Sequence, residues 1–359
     1  MFKETKGGKM PEKTKNRELP KISEDNDKFE FTGESKTVVD ENGKEHTLYR
    51  IRATEDITLV RFIIKEGSIL HEIMDELDAI GRLFDPDGWL WRPEDRSRIV
   101  TRVIHVRKGE LGGFIEKEEN LDYKSNAWIF DNAMVYDDAR VTGEAIVSKR
   151  AEVSGKAQVY GFAEVSDNAV VGEDAQVYDD SKVYGNAVVT GNVWVYDDAQ
   201  VCGNAKVGGN AKVGGEDTRV YGNAVVTDNA LVFGSEVCGH AKIAGYAKVG
   251  ESKVCDDAQV YGNAIVDYSR VSGKAQVYGN AIVSSWARVS GNAQVFGDAI
   301  VSEDAQVYDD AQVCGNARVY GYAGAHDQTK VHGKAVITDG KWTYGDITEE
   351  NCVKKAKRP

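Results

Sequence analysis

From about Asn126 to Gly345 the chain repeats one six-residue unit: a small residue, any residue, valine, any residue, then two turn-forming residues. Lys156-Ala157-Gln158-Val159-Tyr160-Gly161 is one copy, and Asp304-Ala305-Gln306-Val307-Tyr308-Asp309 is another. A short fixed period sets the whole architecture, so it precedes any local reading of helix or strand. Residues two apart in a strand share a face, so each Ala–Val pair points the same way. If that way is inward, the residue between them points out, and it is Gln, Lys, Arg, Glu, Val or Ile. Pairs such as Gly-Asn and Asp-Asp then turn the corner, because Gly, Asn and Asp tolerate positive φ. Three such sides close a triangular coil of about eighteen residues. A helical solenoid fails, since valine at every sixth position drifts around a helix surface. Antiparallel hairpins fail too, since six residues leave no room for a strand and a reversal. The prediction is a mainly β protein: a parallel β-helix of about 12 coils and about 58 Å in length.

Residues 1–27 are charged and polar and are expected to be disordered. Residues 28–110 read as a small α+β head. Asn42-Gly43 sits between two strand-like runs, Lys36 to Val39 and Thr47 to Ala53, which is a hairpin signal. Ser68 is a candidate N-cap for a helix over 68–83, with Ile69, Leu70, Ile73, Met74, Leu77, Ile80 and Leu83 as its apolar stripe. Trp89 and Trp91 follow the break at Asp85-Pro86-Asp87-Gly88 and are the head's candidate partner anchor, or part of its core. Residues 111–125 join head to rod. Their paired glycines, Gly112 and Gly113, suggest a tight backbone approach in a hinge covering the first coil; no GKS or GKT follows to make a phosphate loop. The rod spans 126–345, Trp342 and Tyr344 are expected to cap its end, and 346–359 form a tail with a short basic run at Lys354 to Arg358.

Val159-Tyr160-Gly161-Phe162-Ala163 and Val207-Gly208-Gly209-Asn210-Ala211 resemble the hexapeptide repeats of left-handed parallel β-helix proteins. That resemblance covers about 60% of the chain and implies a left-handed rod. The residue after Val is often Tyr, Ser or Thr here, where that family favours glycine. The overall layout also resembles a group of phage and prophage proteins. Thr47 to Ala53 and Gly109 to Leu121 carry that likeness, and about 55 residues between them stand as an insertion. The likeness implies a viral origin rather than a mechanism.

The chain carries a net charge of −13. Residues 126–345 hold 28 acidic and 18 basic residues, so −10 of it lies in the rod. Such a surface disfavours a general grip on nucleic acid, which needs clustered Lys and Arg. No stretch reads as a secretory signal or a membrane span, so a cytoplasmic protein is expected, in the host cytoplasm if phage-encoded. The five cysteines are scattered, with no CxxC pair, and free thiols are the expectation. No metal or cofactor is expected.

Residues eighteen apart stack on one side of a triangular rod. Tyr160, Tyr178 and Tyr196 therefore predict an outward aromatic ladder, with Asp179-Asp180 and Asp197-Asp198 stacked beside it. Asp is a good turn former in its own right. Stacked carboxylates also suit the Lys and Arg of a partner, and tyrosine supplies contact area with a polar tip. Glu216 to Gly222 carries one extra residue, and Ser235 to Gly239, Ser252 to Asp256 and Ser269 to Gly273 each lack one. Such changes either adjust a corner or shape a patch near 216–273.

Many left-handed β-helix proteins are acyltransferases with a histidine base, so catalysis is a rival reading. The rod offers only His240, His326 and His332, and no nucleophile–base spacing, so no catalytic residue is assigned. The expectation is a non-catalytic interaction protein that binds a host protein, with inhibition of a host defence factor by a charge mimic of nucleic acid as its specific form. A homo-oligomer, dimer or trimer, is expected. A structural virion or filament component and a hexapeptide-repeat acyltransferase are the alternatives.

Overall fold

The computed structural model describes residues 19–40, 42–64 and 99–350. The expected helix over 68–83 and the Trp89/Trp91 element lie outside the described residues, as does the basic tail. What is described of the head is built of strands. β1 (Phe29–Val39) pairs antiparallel with β2 (Glu45–Ala53) around the expected hairpin, and β3 (Ile57–Ile64) pairs antiparallel with β4 (Ile99–Val106).

The rod is a parallel β-helix, as the hexad period requires. Its strands are mostly two residues long and form three flat faces. Face 1 begins at Met134–Val135, face 2 at Arg140–Val141 and face 3 at Trp128–Ile129. Faces 2 and 3 hold 12 and 13 strands, and face 1 belongs to a sheet of 16 that includes three strands of the head. The rod therefore makes about 13 turns, and its last strand, Asp346–Ile347, lies just past the expected limit at Gly345.

At most strands the valine and the small residue two before it are buried, and the residue between them is half-buried or exposed; Trp128, Ile146 and Gly324 are buried exceptions. Ala157 with Val159 and Ala187 with Val189 are examples, all four fully buried. Burying one branched side chain stabilises by roughly 2 kcal/mol, and each coil touches only its neighbours, so stability accumulates coil by coil.

Nearly every corner contains one residue in the left-handed region, and two corners contain a pair, Gly215 with Asp217 and Ser285 with Trp286. Glycine supplies many of these, and Asp fills ten of the seventeen non-glycine positive-φ sites among the described residues. Asp does more there than tolerate the conformation. Its Oδ2 accepts the amide N–H of the left-handed residue one coil on, as in Asp167 to Gly185 (3.0 Å), Asp197 to Gly215 (2.9 Å) and Asp228 to Gly245 (2.8 Å). The carboxylate ladders thus satisfy backbone donors that the strand pairing leaves over.

The head continues into the rod without a break in hydrogen bonding. β5 (Leu111–Ile115) pairs antiparallel with β2 on one side and parallel with Met134–Val135 on the other. Gly112 and Gly113 make the expected close approach: a Cβ on Gly113 would meet the side chain of Ile129 and come within 2.7 Å of the Ala133 carbonyl oxygen. Lys28 closes the junction from inside. Its buried ammonium donates to the carbonyls of Asp122 (3.0 Å), Ser125 (2.7 Å) and Ala127 (2.7 Å). Burial outweighs the nearby carboxylates and pulls its pKa down to about 8.

Candidate recognition surface at one corner

The corner between faces 2 and 3 departs most from the repeat. Tyr160, Tyr178 and Tyr196 all stand on it and stack as the eighteen-residue spacing predicts. Successive ring centroids lie 4.9 and 5.7 Å apart, with planes inclined by 2° and 14°. The ladder stops where the Tyr196 ring lies over Gly214, at a place a Cβ would fill, and the Phe233 ring lies over Gly215. Crowding away from water raises the pKa of all three tyrosines, and Tyr178, in the middle, is pushed up to about 12 by burial and then by its tyrosine and aspartate neighbours.

Asp179, Asp180, Asp197 and Asp198 lie beside that ladder. They line a cleft of about 660 Å³ together with Glu216, Asp217, Phe233 and Glu251. The structure therefore joins the regular acidic ladder to the irregular coils that follow it. Part of the acidity has a structural origin, because Asp179 and Asp197 bond the amides of Asp197 and Gly215.

A second cleft of about 590 Å³ continues along the same corner and mixes charges: Asp217, Glu236, Glu251 and Asp304 line it together with three cations. Lys253, Arg270 and Arg288 stand on successive strands of face 3 and form a cationic row in an otherwise acidic rod. Glu236 pairs with Lys253 at 2.6 Å. Tyr268 and Trp286 rise beside the row, 53% and 70% exposed, and Phe233 is 44% exposed at the other cleft.

Shortened corners create this surface. Where one residue is missing, the face 2 strand gains a third residue, as in Leu231–Phe233, Lys248–Gly250 and Ile265–Asp267. The small inward residue then has no turn carbonyl to donate to, and serine replaces alanine. Ser252 N–H donates to Ser235 Oγ (3.0 Å), and Ser269 N–H donates to Ser252 Oγ (2.9 Å). The deletions and the serines are one device, and the shortened corners carry Phe233 and Tyr268 on the outside; Trp286, in a corner of ordinary length, stands one coil beyond Tyr268.

Reasoning from sequence placed the acidic and tyrosine ladders but missed the cationic row and Trp286. The readable signal was the outward slot before each valine, occupied in turn by Lys253, Arg270 and Arg288. A second aromatic ladder, Tyr261–Tyr278–Phe296, was also missed, because shortened coils put its first two rings seventeen apart. The three rod histidines do not converge. His240 extends an asparagine ladder, 3.1 Å from Asn223 Nδ2, while His326 stacks on Tyr308 and pairs with Asp327.

The YdcK β-solenoid repeat family matches five stretches of the rod: residues 182–197, 258–274, 287–303, 293–309 and 311–327. Each falls within the strands already described. The chain is a repeat β-helix protein. The matches cover part of the rod, and they fit its geometry of one small and one branched inward residue per side. No curated protein sequence matches this chain at a significant level. Among the described residues, no helix is long and apolar enough to cross a membrane.

Proposed function

We propose that the protein is a non-catalytic recognition protein and that the corner between faces 2 and 3 is its binding surface. The observation that carries this reading is the exposed aromatic series Phe233, Tyr268 and Trp286, set between an acidic cleft and a cationic row. Large aromatics that leave water on contact supply most of the energy of many protein interfaces, and flanking charges fix register and speed encounter. The rigid rod holds these groups in place beforehand, so little conformational entropy is lost on binding.

The partner class is a protein segment carrying basic groups for the Asp179–Asp198 cleft and an acidic group for Lys253, Arg270 and Arg288. The phage-like layout of the N-terminal segment makes a host protein the first candidate, and a nucleic-acid-binding defence factor its specific form. Capture of partners from host lysate tests the reading, with the native chain compared against Trp286→Ala and against a chain in which Asp179, Asp180, Asp197 and Asp198 are asparagine. A partner bound saturably by the native chain and weakly by both variants supports it. A partner held equally by all three overturns the placement of the site.

A further inference from the structure

His46 lies on β2 at the junction of head and rod, fully buried, with carboxylates on three sides. Its Nδ1 is 3.1 Å from Glu116 Oε1, and Glu116 Oε2 accepts the Asp137 amide N–H at 2.7 Å. Glu116 thereby fixes the ring as a donor at Nδ1 and leaves the Nε2 lone pair facing the other way. Nε2 has no hydrogen-bond partner. Two carboxylate oxygens face it, Asp40 Oδ2 at 3.5 Å and Asp137 Oδ1 at 3.6 Å.

We propose that His46 Nε2, Asp40 Oδ2 and Asp137 Oδ1 bind a divalent transition-metal ion of the zinc class, which clamps the β1–β2 hairpin to the first coil. A lone pair and two carboxylate oxygens converging in a water-poor site repel one another, and a cation between them reverses the sign of every contact. The spacing suits a small ion. Ligand bonds of about 2.0–2.1 Å in a tetrahedron place donor atoms about 3.3 Å apart, close to the separations found. One imidazole and two carboxylates, with a carboxylate behind the imidazole, is the ligand chemistry of zinc and its first-row neighbours.

Each donor is held by its surroundings. Asp40 Oδ1 accepts the amides of Asn42 (2.9 Å) and Lys44 (2.8 Å), which turns Oδ2 toward the histidine. The Tyr136 ring packs against the imidazole at 4.7 Å between centroids, tilted by 47°, and the Tyr136 hydroxyl donates to Glu152. Lys44 is the competitor: its ammonium lies 2.7 Å from Asp137 Oδ1, on a side chain 62% exposed and able to swing into water.

Titrating the full-length chain with Zn2+ by calorimetry, and with Co2+ by visible absorption, tests the site. The expected result is one ion per chain with a Co2+ spectrum of low coordination number. Lys44→Gln should bind more tightly, Asp40→Asn more weakly, and Glu116→Gln about 10- to 100-fold more weakly. Melting in chelator establishes that each variant is folded before titration, and metal should raise the melting temperature of the native chain more than that of Asp40→Asn. Two results overturn the proposal. One is that neither ion binds stoichiometrically. The other is binding that Asp40→Asn and Lys44→Gln leave unchanged.

Discussion

The hydroxyl of Ser252 accepts the amide N–H of Ser269 at 2.9 Å, one coil further along the rod, and donates to the Gly250 carbonyl at 2.6 Å. One side chain thus repairs a backbone bond that the shortened corner removes. Ser252→Ala leaves a buried amide without a partner and is expected to cost about 1–3 kcal/mol. Hydrogen exchange should show faster exchange at Ser269, with the coils at either end unaffected.

Gly113→Ala places a methyl against Ile129 and the backbone at Ala133. Backbone cannot yield as a flexible side chain does, so the loss should fall toward the upper end of the roughly 1–3 kcal/mol typical of overpacking. Chemical denaturation of the full chain, read by fluorescence of the buried Trp128, would measure it.

Lys28→Met keeps the apolar stem and removes the ammonium that three carbonyls share. The Ser125 and Ala127 carbonyls then lose their donor, while Asp122 keeps that of the Ser125 hydroxyl at 3.2 Å. A loss on the order of 3 kcal/mol is expected, concentrated at the head–rod junction. Limited proteolysis should cut between head and first coil sooner than in the native chain.

The tyrosine ladder makes stability fall in alkali. Tyr178 has a folded pKa of about 12 against an ordinary value of 10.0, raised first by burial. Its contribution is fully present below pH ~10 and is lost as pH rises from there toward 12, because the unfolded chain releases its proton first. Tyrosinate absorbance should show a late-ionising fraction, and Tyr178→Phe should lessen the alkaline fall in melting temperature.

The rod was legible in the sequence because each hexad repeats the same physical statement. Val159 and Ala157 must share a face, Gly161 must turn, and 38 rod strands built alike leave no competing arrangement. The Tyr160–Tyr178–Tyr196 ladder followed by counting eighteens. Counting failed at Tyr261 and Tyr278, since the shortened corner at Asp267 to Ser269 changes the interval to seventeen. Trp286 fills an ordinary turn slot before Ala287, and it escaped because its neighbour is the shortened corner one coil back, where its amide donates to the Tyr268 carbonyl. His46 escaped for a different reason: its neighbours Asp40, Glu116 and Asp137 are spread over about a hundred residues, and only the docking of hairpin on coil brings them together.

The most direct test of the recognition surface is binding by Trp286→Ala, a substitution on a side chain 70% exposed that should leave the melting temperature unchanged within about 0.5 kcal/mol of stability. With a partner captured from host lysate by the native chain, the account predicts a loss of affinity of tenfold or more, equivalent to at least about 1.4 kcal/mol. A partner bound equally well by Trp286→Ala, or no saturable partner for the native chain, would contradict it.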